Sequence, residues 1–152
     1  MRIPQGSVKA SFIAVSTVAA LMLSGCGTME KMGEKVGIGG KHTELSGSAE
    51  VPPVSTKASG KSTIKVADDQ SVSGEVTVEG MTPTAAHIHQ GAAGANGPVI
   101  IPLTKASDSR FTVPANAKLT EAQYAAFQKG SLYVNVHSAA HPGGEIRAQL
   151  KP

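Results

Sequence analysis

The feature that most limits what this chain can fold into is a repeated two-residue alternation of apolar and polar side chains. In "SLYVNVHS" (residues 131–138), Leu132, Val134 and Val136 fall on one side while Tyr133, Asn135 and His137 fall on the other, because successive residues of a strand project to opposite faces. The same period places Ile64 with Val66, Val72 with Val76 and Val78, and Ile146 with Ala148 and Leu150. The first two of these runs read as a hairpin turning at Asp68 and Asp69, and "PVIIPL" (98–103) and "SRFTVP" (109–114) add further short strands. Short strands at close spacing with Gly and Pro turns predict an all-β fold, an antiparallel Greek-key-like sandwich or barrel.

One helix interrupts the strands, over about residues 121–129. Thr120 is a good N-cap and Gln123 completes a capping box. Leu119 and Tyr124 stand at the staple positions and Gly130 at the stop, so the segment carries start and end signals of its own. Tyr124 and Phe127 share a side, which predicts packing across an open end of the sandwich.

Arg2 and Lys9 precede an apolar run over residues 10–23, broken only by Ser11, Ser16 and Thr17 and closing on "LSGC". This reads as a secretory signal too short to span a bilayer, and its end resembles a bacterial lipobox. The expectation is a lipoprotein signal over 1–25, lipidation at Cys26, a flexible tether over 26–42 and one folded domain over 43–152. The expected partner is then a membrane, through the lipid, and the expected place is the cell envelope. With Gly27 rather than an acidic residue after the cysteine, that is the periplasmic side of the outer membrane in a Gram-negative cell. Cys26 is the single cysteine, which excludes an intramolecular disulfide. The formal charge of +3 includes Arg2 and Lys9, so little of it belongs to the domain. With aromatics at 3%, neither a basic patch nor a stacking platform points to nucleic acid.

Chemistry is concentrated in the histidines. His87 and His89 flank Ile88 in "AHIH", so an inward Ile88 turns both imidazoles outward, and the same logic turns His137 outward from its strand, with His141 following in a turn. If the two strands are neighbours, His87, His89 and His137 come within reach of one ion, with His141 as a fourth donor. Neutral imidazoles suit copper, with zinc as the alternative. Asn135, on the outward face, and Glu145, on the next strand, are the candidates to hold the ligands' far nitrogens. The competing reading has His87 or His141 pinning loops to backbone carbonyls, and Glu145 with Arg147 as a solvated charge pair. His42 lies in the tether region, outside any site. "GAAGANGP" (91–98) lacks the Lys and Ser/Thr of a phosphate loop and reads as a tight turn in which Gly94 serves as a spacing device. No GxSxG elbow is present in the sequence.

The stretches "ELSGSAEVPPV" (44–54), "AAHIHQGAAGANGPVIIPL" (85–103) and "LTEAQYAAFQKGSLYVNVHSAAHPGGEIRAQL" (119–150) resemble the CHRD domain, named for chordin and common in secreted bacterial proteins. The resemblance covers about residues 43–151. It implies an extracytoplasmic β-domain without an established catalytic activity. A looser similarity links the His-x-His strand and its distant histidine to the copper strand of Cu,Zn superoxide dismutases. Three functions follow as expectations: a lipid-anchored metal binder for storage, delivery or protection; a metal-free adhesion or scaffold module; and a dismutase-like redox enzyme, the non-enzymatic readings being preferred.

Overall fold

The computed structural model describes residues 42–152. The expected signal, Cys26 and the tether up to residue 41 lie outside the described residues. The strands are β1 (Thr43–Ser46), β2 (Ser59–Ser62), β3 (Lys65–Val66), β4 (Val72–Ser73), β5 (Glu75–Glu79) and β6 (Pro83–Gln90). They continue with β7 (Val99–Pro102), β8 (Thr104–Ser107), β9 (Arg110–Thr112), β10 (Leu132–Ser138) and β11 (Ile146–Gln149), and the helix α1 is Glu121–Gln128.

Nine strands form one sheet in the order β7-β6-β10-β11-β1-β2-β5-β9-β8, while β3 and β4 pair separately. All the pairings are antiparallel. The two edge strands, β7 and β8, are consecutive in the chain and separated by Leu103 alone, whose amide donates to the Ala86 carbonyl on β6 at 2.9 Å. The sheet therefore curls until its ends meet, which makes the predicted β architecture a nearly closed barrel. The step from β5 to β6 crosses to the far part of the strand order, as in a Greek key.

The alternating residues fill the interior. Val76, Ile88, Phe111, Leu132, Val134, Val136 and Ile146 are all buried to within 1%. The hairpin at Asp68 and Asp69 is present as β3 and β4, with Val66 opposite Val72. The run "SVSGEVTV" does not continue as one strand, however: at Gly74 it divides, and β5 joins the large sheet beside β2.

Three strands carry no apolar alternation. In β2 the inward positions are Gly60 and Ser62, where the neighbouring Thr77 carbonyl and Ile146 side chain leave little room for a side chain at residue 60. Four exposed residues form β8, and β1 has Leu45 as its one deeply buried residue. The helix begins as its sequence dictates. Thr120 Oγ1 accepts from the Gln123 amide at 3.3 Å and Gln123 Oε1 accepts from the Thr120 amide at 2.8 Å, while Phe127 and Leu119 enter the core.

Phe111, on a strand of three residues, seals the barrel near its seam. Phe111→Ala is expected to lower the unfolding free energy by about 3–5 kcal/mol through lost burial and a cavity, measured by denaturant titration. A loss below about 1 kcal/mol would mean that the seam is not packed as described.

Candidate metal centre

The register between β6 and β10 sets the site. His89 lies opposite Tyr133, His87 opposite Asn135, and Ala85 opposite His137. Ile88, Val134 and Val136 fill the interior, so all three histidines stand on the barrel's outer wall, with His87 and His137 diagonal to each other. Their ring centroids lie 4.8 Å apart for His87–His137, 5.6 Å for His87–His89 and 6.3 Å for His89–His137. One nitrogen from each ring can be chosen so that all lie within 4.8 Å of one another.

Backbone carbonyls assign the protons. His89 Nδ1 is 2.9 Å from the Gly97 carbonyl and His137 Nδ1 is 2.9 Å from the Pro142 carbonyl. A carbonyl can only accept, so each Nδ1 carries hydrogen and, in the neutral ring, each Nε2 keeps its lone pair. His137 Nε2 uses that lone pair to accept from His87 Nδ1 at 3.0 Å. His89 Nε2 is buried and has no hydrogen-bond partner among the described residues. An unmet acceptor of this kind costs about 1–3 kcal/mol, unless something electron-poor occupies the position.

His141 does not join the set of converging nitrogens. Its backbone closes the turn after β10, through bonds with Ser138 and Gly144. The loop-pinning expected of His87 or His141 is instead done by His89 and His137, because these two rings lie beneath the loops.

Outward from the barrel does not mean exposed, which corrects two expectations. Glu145 is buried, and its carboxylate accepts from the Thr56 hydroxyl at 2.7 Å and from the Ser138 hydroxyl, so it holds hydroxyls rather than histidine ligands. Burial works against its ionisation, but those two hydroxyls hold its carboxyl below the usual carboxylate range. Arg147 is 1% exposed and makes no solvated pair with Glu145. Asn135 is buried in register between His87 and Arg147, and its Oδ1 has no partner among the described residues.

Residues that spacing alone does not single out complete the layer. Tyr133 stacks flat on His89, centroids 4.7 Å apart and planes 7° from parallel. Arg147 lies over the Tyr133 ring at 3.4 Å. Glu50, within the otherwise apolar "AEVPPV", is buried with Oε1 unpartnered among the described residues. Burial raises its pKa, against the opposing charge of Arg147. The only sequence signal for Glu50 is an acidic residue in an apolar run.

In the glycine loop, Gly94 has φ +78° with open space around it, whereas a Cβ on Gly97 would lie 1.7 Å from the Gln90 carbonyl oxygen. Strain at Gly94 comes from φ alone. Gly97 is where the loop has no room.

A nearly closed antiparallel barrel with an imidazole cluster on its outer wall, clasped by loops, defines a small β-domain whose chemistry lies outside its core. The family model described as the CHRD domain matches residues 42–150, and the chain belongs to the CHRD family. No curated protein and no solved structure matches the chain, and the likeness to the superoxide dismutase copper strand gains no support from these comparisons.

Burial lowers the pKa of His87, helped by the neighbouring His137 and His89. Burial also lowers that of His137, against the bond to Pro142 and with His89 adding to the effect. A depressed folded value means that the unfolded chain protonates first, so the stability linked to these rings is present above about pH 6.5 and declines as pH falls through the folded values. In chelator-treated protein, NMR titration should therefore place both midpoints below about 6.5, and the denaturation midpoint should fall over the same interval. Midpoints at or above the ordinary value would contradict the burial described.

Proposed function

We propose that the protein is an envelope-anchored binder of one transition-metal ion, held by His89 Nε2, His137 Nε2 and His87 Nδ1. The observation that carries this reading is the buried, unpartnered Nε2 of His89 in a cluster with two other imidazoles, of which His137 directs its proton to the Pro142 carbonyl and His87 directs its own to His137 Nε2. Two ligands already have their far nitrogens fixed by carbonyls, the arrangement that metal-binding histidines use to set tautomer and ring angle. His87 would move its proton from Nδ1 to Nε2, the nitrogen left free by its contact with His137.

Ligand bonds of about 2.0–2.1 Å place tetrahedral nitrogens roughly 3.4 Å apart, so the ligand nitrogens, now within 4.8 Å of one another, would draw together. Three protein donors leave a fourth position for water or an incoming group, as in exchangeable rather than purely structural sites. An all-nitrogen set without thiolate favours copper over zinc by intrinsic affinity. Storage, delivery or protection are the roles that such an open site serves. CHRD membership fits a domain working outside the cytoplasm, and the lipobox-like "LSGC" supports a lipid anchor at Cys26 that makes the membrane its partner.

Titration of the chelator-treated domain with Cu(II) and Zn(II) should give one ion per chain. His89→Ala or His137→Ala should weaken binding by more than the roughly 10–100-fold that loss of an outer partner costs. His141→Ala should leave affinity unchanged. No binding, or equal binding by His89→Ala, would leave a metal-free recognition module. Separately, Cys26→Ala should move the mature chain from the membrane fraction to the soluble fraction; membrane retention of that variant would remove the anchor from the proposal.

A further inference from the structure

We propose that Arg147 is a positioning residue for His89: by gripping the glycine loop it presents the Gly97 carbonyl to Nδ1 and so keeps the Nε2 lone pair facing the imidazole cluster. The metal-affinity consequence rests on the proposed metal centre. The tautomer consequence does not.

The guanidinium lies between two groups of contacts. On one side it covers the face of Tyr133 at 3.4 Å, and the opposite partner of that ring is His89, stacked at 4.7 Å. On the other side, its nitrogens donate to the Ala95 carbonyl at 2.9 Å, the Ala92 carbonyl at 3.2 Å and Asn96 Oδ1 at 3.2 Å. Asn96 in turn donates from Nδ2 to the Val51 carbonyl at 2.7 Å, so the grip extends to the "EVPPV" segment. The loop's own backbone bonds run from Ala95 to Ala92 and from Gln90 to Pro98, and neither fixes the peptide of Gly97. Two contacts do bear on it. The Gly97 amide donates to the Tyr133 hydroxyl at 3.2 Å, and Arg147 holds the preceding residue.

A buried, permanently charged, planar fork suits this task because it can meet several carbonyl oxygens and an aromatic face together. Lysine carries the same charge as a point donor and cannot hold the same set. The inference therefore separates charge from geometry: a charge at position 147 is not enough.

The test follows His89 by ¹⁵N-resolved NMR in metal-free protein and Zn(II) affinity in parallel, for wild type, Arg147→Lys, Asn96→Ala and Tyr133→Phe. Wild type should show a single Nδ1–H tautomer at His89. Arg147→Lys should show mixed tautomers and about tenfold weaker Zn(II) binding. Asn96→Ala, which alters an exposed side chain and leaves the core intact, should show a smaller change of the same kind. Tyr133→Phe keeps the stacked ring and should retain most of the Nδ1–H tautomer.

A wild-type His89 in the Nε2–H form overturns the proposal. So does an unaltered tautomer in Asn96→Ala, or in Arg147→Lys where that variant folds. Tyr133→Phe losing the tautomer as fully as Arg147→Lys would transfer the role to the hydroxyl and overturn it equally. A wild type that binds neither Cu(II) nor Zn(II), while the tautomer still depends on Arg147, would sink the metal centre and leave the positioning role standing.

Discussion

The pairing of β6 with β10 is the constraint from which the rest of the molecule follows. Its register sets His87, His89, Tyr133, Asn135 and His137 on one wall and Ile88, Val134 and Val136 on the other. A slip by one residue would carry the imidazoles into the barrel and the aliphatic side chains out. The hydrophobic interior therefore does more than stabilise the fold. By fixing which face Ile88 and Val136 occupy, it decides where the polar chemistry stands.

That outer wall has to satisfy groups that ordinary strands leave to water. Loops cover it, and each brings backbone carbonyls to meet donors below: Gly97 for His89, Pro142 for His137, Ala92 and Ala95 for Arg147. The Glu145 carboxylate plays the converse part, accepting from Thr56 and Ser138. The result is a second, polar layer outside the apolar core. Buried polar layers tolerate little partial satisfaction, and three atoms of this one lack partners among the described residues: His89 Nε2, Asn135 Oδ1 and Glu50 Oε1.

Much of this was legible in the sequence wherever physical periodicity was present. Alternation revealed β10 and β11, the hairpin at Asp68 and the face shared by His87 and His89; the capping residues revealed the helix. It failed for β2 because a crowded barrel interior accepts Gly60 and Ser62 where a pattern reader expects aliphatic residues. The candidate site was legible for His87, His89 and His137, whose positions follow from parity alone. It was not legible for Arg147, Tyr133 and Glu50, nor for the separation of His141 from the others, since these depend on how loops fold back over a face. Parity tells which side a residue leaves the sheet, and is silent on what later covers it.

The first and last strands of the domain are neighbours, with Ser46 beside Arg147. Until the final segment is available, β1 and β10 each present an unpaired edge, and the guanidinium that grips the glycine loop is not yet in place. Barrel closure and completion of the outer layer thus both depend on the pairing of β11 with its two neighbours. The last strand is both the stave that joins β10 to β1 and the source of the side chain that secures the loop above His89.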